Sequence, residues 1–491
     1  MSRYQNKWGI MIDDVKKEFK YRNERILSTP GMINLELTSG CNNKCRHCYN
    51  FWRDDSQDAI DKISKEEIDK IVEMVKEDGV FHVVLTGGEP FITFDVLEYS
   101  LKKFDGAGVS TSVNSNLMLA TPENVRGLKA VGLDHVLTSL NSSLPEVNDY
   151  MTHRKGSFDQ IIRGIKVTRE AGIRVSSNMI ISEPNQSQVY ETAKLCSELG
   201  VQRIFGTRLV PSETVDDPTE TDLKLDRDSA LKVINDLIRA KEDFGIGIGT
   251  LISYPLCMLG DLEKYRDFVG RGCPAQRGNR MIINANGEIH ACTHESYSYG
   301  NVFEVGINDA FKKMQKWHDG TYLFEGCKNC EYINVCDSGC RSAAYSYFKR
   351  TDGMDPLFAG AEHIKIPYKA KVSDDICKLI RKKEDFFVPK TIRFRKEEGF
   401  YSINIRWANS YTIKSEVAEF LIKKQASVES ISIDNMIGED PENEMLKLIF
   451  KEALVPKNIK LRNMVEAGVK QGCSINPEDM PQAFVWLKNK L

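Results

Sequence analysis

Eleven of the 13 cysteines fall into two arrays. The first is Cys41-Asn42-Asn43-Lys44-Cys45-Arg46-His47-Cys48, with spacing C-x3-C-x2-C. Three thiolates on so short a loop can converge on one metal centre. Iron–sulfur clusters usually take four cysteines, so a four-iron cubane here would keep one iron open for a small chelating ligand. Zinc is the competing reading; it wants a fourth Cys or His, and His47 could supply it. Further on stands Gly87-Gly88-Glu89-Pro90. Glycines let backbone carbonyls approach a ligand closely, and the glutamate and carbonyls could accept bonds from an ammonium group. In the second array Cys273 is followed by thirteen residues, Gly287, four residues and Cys292. Then come Cys327-x2-Cys330-x5-Cys336-x3-Cys340, with Cys257 upstream and Cys377 alone downstream. Eight thiolates fit two further clusters of four, or a zinc ribbon. Cys196 and Cys473 are left over and read as structural.

These loops need elements to carry them. Met32-Ile33-Asn34-Leu35-Glu36-Leu37 alternates as a strand does, and Thr38-Ser39-Gly40 ends it, so the first cysteines sit at its C-terminal edge. Phe81-His82-Val83-Val84-Leu85-Thr86 reads as a second strand ending in the glycines. Ser64-Lys65-Glu66-Glu67 is a capping box, continued at helical spacing by Ile68, Ile71, Val72 and Val75. Strand patterns follow at 109–113, 135–140, 174–181 and 202–210, with helical patterns between them. Six alternating strands predict an α/β parallel sheet with its active site at the strands' C-terminal ends. Residues 1–30 read as mainly helical, with Ile10, Met11, Ile12, Val15 and Phe19 on one face.

The paired motifs resemble the radical S-adenosylmethionine (SAM) superfamily, from Met32 to about Leu209. The resemblance implies a partial (β/α)6 TIM-type barrel over 31–245. It implies that the open iron chelates the amino and carboxylate groups of SAM, whose cleavage gives a 5′-deoxyadenosyl radical. Cys41, Cys45 and Cys48 become ligands, with His47, Tyr49 and Gly87 to Pro90 beside SAM. Asn114 after strand three, and Ser139 and Asn141 at the end of strand four, become candidate SAM contacts. Thr152 stands where many relatives carry an arginine for the SAM carboxylate; Arg154 is the candidate substitute. The second array resembles the SPASM extension of peptide-modifying radical SAM enzymes, here over 246–384. Family precedent gives Cys257, Cys273, Cys292 and Cys340 to one saturated cluster, and Cys327, Cys330, Cys336 and Cys377 to another. That makes three [4Fe-4S] clusters. The anaerobic sulfatase-maturating enzymes are the rival family, but they carry an aspartate where Thr293 follows Cys292 here.

Residues 385–491 form a different unit. Thr391 to Ile405 reads as a hairpin about a Glu-Gly turn, with helical patterns at 413–424 and 441–454. This resembles a winged-helix-like α+β element that binds leader peptides. The implied partners are a precursor peptide with a leader and an electron donor such as flavodoxin or ferredoxin. Lys+Arg 67 against Asp+Glu 70 leaves a net charge of −3, which argues against a strong nucleic-acid field. No run of 18 apolar residues suggests a membrane span, and the first residues lack a signal peptide's apolar core. Abundant cysteine then points to metal in the cytoplasm rather than to disulfides.

Overall fold

A computed structural model describes residues 26–50, 60–213, 224–368, 374–406 and 409–463. The helical reading of residues 1–30 falls almost wholly outside these, as does Cys473.

Strands and helices alternate from β1 (Met32–Glu36) through α1 (Lys65–Glu77), β2 (His82–Thr86), α2 (Phe94–Gly106), β3 (Ser110–Asn114), α3 (Pro122–Ala130) and β4 (His135–Ser139). The series continues with α4 (Pro145–Thr152), α5 (Ser157–Glu170), β5 (Arg174–Ile181), α6 (Val189–Glu198), β6 (Arg203–Arg208), α7 (Arg227–Phe244) and a short β7 (Gly247–Gly249). β1 to β7 are parallel neighbours in chain order. Helix α1 shows how sequence sets this layer. Ser64 caps it, Glu67 completes the capping box, and Ile68, Ile71, Val72 and Val75 are buried. Burying each such side chain contributes roughly 1.5–3 kcal/mol.

The sheet does not stop at the barrel. After α8 (Leu256–Leu259), β8 (Arg280–Ile283) pairs in parallel with β1, on the side away from β2, and β9 (Ile289–His290) turns back on β8. Thus the cysteine-rich segment shares backbone hydrogen bonds with the strand that feeds the first cysteine loop. The segment goes on through α9 (Val302–Lys313), α10 (Gln315–His318), α11 (Ile333–Cys336), α12 (Arg341–Phe348) and α13 (Asp374–Arg381). A buried ion pair also crosses the junction. Arg208, at the end of β6, donates to both oxygens of Asp355 at 3.0 and 2.5 Å.

The C-terminal unit adds β10 (Phe386–Phe387), β11 (Arg393–Lys396), β12 (Phe400–Arg406), β13 (Asn409–Lys414), α14 (Ser415–Ser427), α15 (Pro441–Phe450) and β14 (Val455–Pro456). The hairpin read from sequence is β11–β12, turning at Gly399 with φ +80°. β13 was not legible as a strand; Tyr411, Thr412 and Ile413 suit a pleated ladder and extend the hairpin to three strands. This sheet docks on the barrel floor. Arg395 donates to the carbonyls of Thr29, Pro30 and Gly79, and Arg393 to those of Phe81 and Gly108. Those carbonyls lie just before β1, β2 and β3, at the end of the barrel opposite the cysteine loop.

Candidate active site

The loop carrying Cys41, Cys45 and Cys48 follows β1, at the same end as the loops after β2, β3 and β4. Backbone contact fixes it there. Gly88 N donates to Thr38 O at 2.7 Å, and Glu89 N to Gly40 O at 2.8 Å. A Cβ on Gly88 would lie 2.0 Å from Gly40 O, and one on Gly87 would lie 2.4 Å from Thr38 O. The two glycines therefore let one loop lie directly on the other, a requirement of packing as much as of ligand approach. Gly87 also has φ +140°.

Glu89 is 1% exposed. Its carboxylate accepts from Ser115 Oγ at 2.7 Å, Asn116 N at 2.8 Å and Phe91 N at 3.1 Å. Asn116 Nδ2 donates in turn to Asn42 Oδ1 at 2.7 Å. Glu89 thus relays the position of the loop after β3 to the cysteine loop, with its oxygens already engaged by the protein. Arg154 donates to the carbonyl of Asn42. It braces the cysteine loop and is not among the residues facing the cavity described next, so the structure does not present it to a ligand there. Pro90 begins a turn behind the cavity wall.

A cavity of about 460 Å³ opens above and within the barrel, within the usual size of ligand sites. Cys41, Cys45, Cys48, His47, Tyr49, Gly87, Gly88, Glu89, Asn114, Ser139 and Asn141 all face it. Polar positions that alternate along the strands join them: Asn34, His82, Thr86, Ser112, His135, Asn178 and Thr207. Their period-2 spacing was the signal for these, though not for which face was inward. Asn141 is fully buried; its Oδ1 accepts from Ile180 N at 3.1 Å, while its Nδ2 has no partner. Asn34 Oδ1 and Asn43 Oδ1 are likewise buried and unmatched. Buried amide groups left open around a cavity fit a polar ligand, and three thiols beside them fit a cluster with one iron to spare. Among the described residues no three Cys, His, Asp or Glu side chains gather closely enough for a single metal ion.

The far wall comes from the cysteine-rich segment. Cys273, Cys292 and Cys340 face the same cavity, together with Arg271, Arg280, Thr293, His294 and Ser342. The Tyr49 and His294 rings pack with centroids 5.1 Å apart, joining the two cysteine arrays. Burial, with Cys340 and Cys292 beside it, pushes the Cys273 thiol up to about 12. Burial pushes Cys340 to about 11 despite the opposing Arg208. Bound iron would have to displace these protons.

The grouping expected for the second array needs correction. Cys257 does not join Cys273, Cys292 and Cys340. It lines a separate, smaller pocket with Cys327, Cys330 and Cys336, closed by Leu256, Ile333 and Phe358. Leu256 N donates to Cys336 Sγ at 3.4 Å, which seats α8 on the later cysteines. Burial raises the Cys327 thiol to about 11, with Cys330 and Cys257 adding to it. The physical reason is that α8 folds back against α11, a contact that sequence spacing does not encode. Cys377 lies on α13, but its side chain is outside the described residues. Cys196 is buried on α6, its thiol pushed up to about 12 by burial, as a structural residue would be.

Residues 35–196 match the Radical SAM superfamily, and residues 273–331 match SPASM, an iron–sulfur cluster-binding domain. The chain carries a radical SAM domain followed by a SPASM extension. Iron–sulfur clusters and SAM are accordingly its cofactors. The radical SAM enzyme is 26% identical to an AdoMet-dependent heme synthase of Methanosarcina barkeri over 65% of this chain and 93% of that protein. It is 28% identical to the mycofactocin maturase MftC of Mycobacterium tuberculosis over 68% and 84%. A shorter match, 34% identical, joins 34% of the chain to 37% of the subtilosin biosynthesis protein AlbA of Bacillus subtilis. In fold it resembles Streptococcus suis SuiB bound to SAM, with TM-score 0.52 and 19% identity over 72% of this chain and 82% of that one. It also resembles anSMEcpe with bound AdoMet, TM-score 0.54 and 16% identity, over 66% and 94%. No helix among the described residues is long and apolar enough to cross a membrane.

Proposed function

We propose that this enzyme modifies a ribosomally made precursor peptide by SAM-dependent hydrogen abstraction, forming a C–C or C–S crosslink or a related change. The observation that carries the reading is the single cavity shared by Cys41, Cys45 and Cys48 on one wall and Cys273, Cys292 and Cys340 on the other. A substrate there meets both metal-binding walls at once. Among the similar proteins, MftC is a maturase by name, and SuiB has been seen bound to its precursor peptide SuiA. The sulfatase-maturating reading is weaker, because Thr293 follows Cys292 where that family places its aspartate base.

In this reading Cys41, Cys45 and Cys48 hold the radical cluster, with Gly87, Gly88, Asn114, Ser139 and Asn141 positioning SAM. When bound, cluster and SAM supply the electron and the 5′-deoxyadenosyl radical that takes a hydrogen from an unactivated carbon. The chain's own part is positional. Glu89, Asn116 and Arg154 hold the cysteine loop, Tyr49 against His294 closes the seam between the two walls, and the barrel interior shields the reacting atoms from solvent. We assign two further clusters to the extension, giving three [4Fe-4S] clusters, a cytoplasmic location, and flavodoxin or ferredoxin as electron donor. We also assign leader binding to residues 385–491, where β13 offers an edge for an added peptide strand.

The test is anaerobic co-expression with the short peptides encoded beside the gene, followed by mass spectrometry. A change of mass confined to one peptide, and absent with Cys41, Cys45 and Cys48 all replaced by alanine, supports the proposal. Unchanged peptides from an enzyme that still cleaves SAM contradict it; an iron porphyrin substrate, suggested by the heme synthase relative, is the next to try.

A further inference from the structure

A second, smaller cavity of about 210 Å³ lies beside the active-site cavity. The period-2 alternation of β1 links the two. Asn34 faces the active-site cavity, and Glu36, two residues on, faces the smaller one. Asp61, in the segment ahead of α1, forms another wall, and the β8–β9 hairpin closes it with Asn284, Glu288 and His290. Among the described residues no lysine or arginine lines it.

The polar groups of this pocket are set to accept hydrogen bonds. The Tyr297 carbonyl can only accept, so His290 Nδ1, 2.8 Å from it, carries the ring hydrogen. His290 Nε2 then accepts from Asn284 Nδ2 at 3.1 Å. That bond orients the amide. Asn284 is only 9% exposed, and its Oδ1 is left buried with no partner. The hydroxyl donors are committed elsewhere. Ser298 Oγ donates to Glu288, and Ser296 Oγ donates to Glu213 at 2.6 Å. Asp61 bonds through its backbone: its N donates to Ser39 Oγ and its O accepts from Thr38 Oγ1, both at 2.9 Å. Its carboxylate has no partner among the described residues. Two half-buried carboxylates and an unmatched amide oxygen favour a ligand that brings positive charge and several donors. The space also exceeds what a bare ion fills, since a water's share of liquid volume is about 30 Å³.

We propose that this pocket binds a basic side chain of the peptide substrate, an arginine guanidinium or a lysine ammonium, while the adjoining stretch of peptide occupies the active-site cavity. This rests on the peptide reading above and narrows it to precursors with an arginine or lysine close to the modified residue. The pocket acts by binding alone; no bond is made or broken there. Its position suits that role. Glu36 lies five residues before Cys41 and His290 two before Cys292, so the bound side chain sits at the roots of both cysteine loops.

The test is calorimetric titration of the reconstituted enzyme at low ionic strength. The probes are N-acetylarginine amide and N-acetyllysine amide, with N-acetylcitrulline amide as the uncharged counterpart of the first. At least one of the two cations should bind at one per chain, and the citrulline amide at least tenfold more weakly than the arginine amide. Asp61→Asn combined with Glu288→Gln keeps the shapes and removes the charges. It should weaken the cation at least tenfold while iron content stays at the parent's level; Asp61→Asn alone serves if the double variant loses iron. Equal binding of arginine and citrulline amides overturns the proposal without any variant. Undiminished affinity in an iron-replete Asp61→Asn/Glu288→Gln enzyme also overturns it, as does calcium chloride displacing the probe from the parent. Failure of both cations to bind removes the pocket and leaves the peptide reading standing. A precursor that goes unmodified leaves the titration result standing.

Discussion

Gly88→Ala isolates the link between the two signature loops. The added Cβ would sit 2.0 Å from Gly40 O, 2.5 Å from Gly40 C and 2.7 Å from Ser39 O. All three are backbone atoms, so no side-chain rotation relieves the clash. Gly88 does not have a positive φ, and the effect is therefore steric. Separating the loops breaks Gly88 N to Thr38 O and Glu89 N to Gly40 O. Leaving buried polar groups unmatched costs roughly 1–3 kcal/mol each, and overpacking adds roughly 1–3 kcal/mol. A local penalty of roughly 3–9 kcal/mol falls on the residues that lead into Cys41. The variant should lose the radical cluster and SAM-dependent spectral changes while retaining auxiliary iron. Gly106→Ala is the control: nothing lies within 4 Å of its added Cβ, and alanine is the better helix former there. Iron and sulfide content, SAM-perturbed electron paramagnetic resonance and 5′-deoxyadenosine formation report the outcome. A Gly88→Ala enzyme with the parent's SAM response would refute the packing argument.

Three further outcomes follow from the same geometry. His82, buried at the barrel floor, has its imidazole pushed down to about 3 by burial, with Arg393 and His135 adding to it. The unfolded chain takes up that proton below pH 6.5 and the folded chain does not, so the contribution is intact above pH 6.5 and lost as pH falls toward 3. The loss is roughly 2 kcal/mol by pH 5, and denaturant midpoints at pH 7 and 5 should converge in His82→Gln; an unchanged gap counts against it. Asp355→Ala leaves Arg208 buried without its partner and removes the acceptor for Cys340 N. It should cost about 3–5 kcal/mol and deplete the nearer auxiliary cluster first, as iron analysis would show. Arg395→Met removes the donor to three floor carbonyls and its buried pairing with Glu397. Limited proteolysis should then cut between residues 381 and 393 faster, while SAM cleavage persists.

Much of this was legible because its physics is local. The capping box at Ser64, the alternating strands and the cysteine spacings each depend on near neighbours in sequence, and they were found where expected. What was not legible depends on contacts between distant segments. Glu89 reads as a ligand for an ammonium group until Ser115 and Asn116 are seen on its carboxylate. Arg154 reads as a substitute clamp, yet the fold turns it onto the Asn42 carbonyl. Family precedent grouped Cys257 with Cys273, Cys292 and Cys340, and the return of α8 onto α11 places it beside Cys327, Cys330 and Cys336 instead. Arg271 and Arg280 carry no motif; only the cavity shows them without acidic partners among the described residues. The strand at 409–414 was hidden because residues 413 and 414 also suit the start of the helix that follows.

The central claim is that three cysteines at one barrel end hold a cluster that cleaves SAM. The direct measurement is 5′-deoxyadenosine formed by the anaerobically reconstituted, dithionite-reduced protein, beside the variant with Cys41, Cys45 and Cys48 replaced by alanine. The account predicts 5′-deoxyadenosine from the parent, none above background from the variant, and auxiliary iron still present in both. Equal amounts from the two proteins would contradict it.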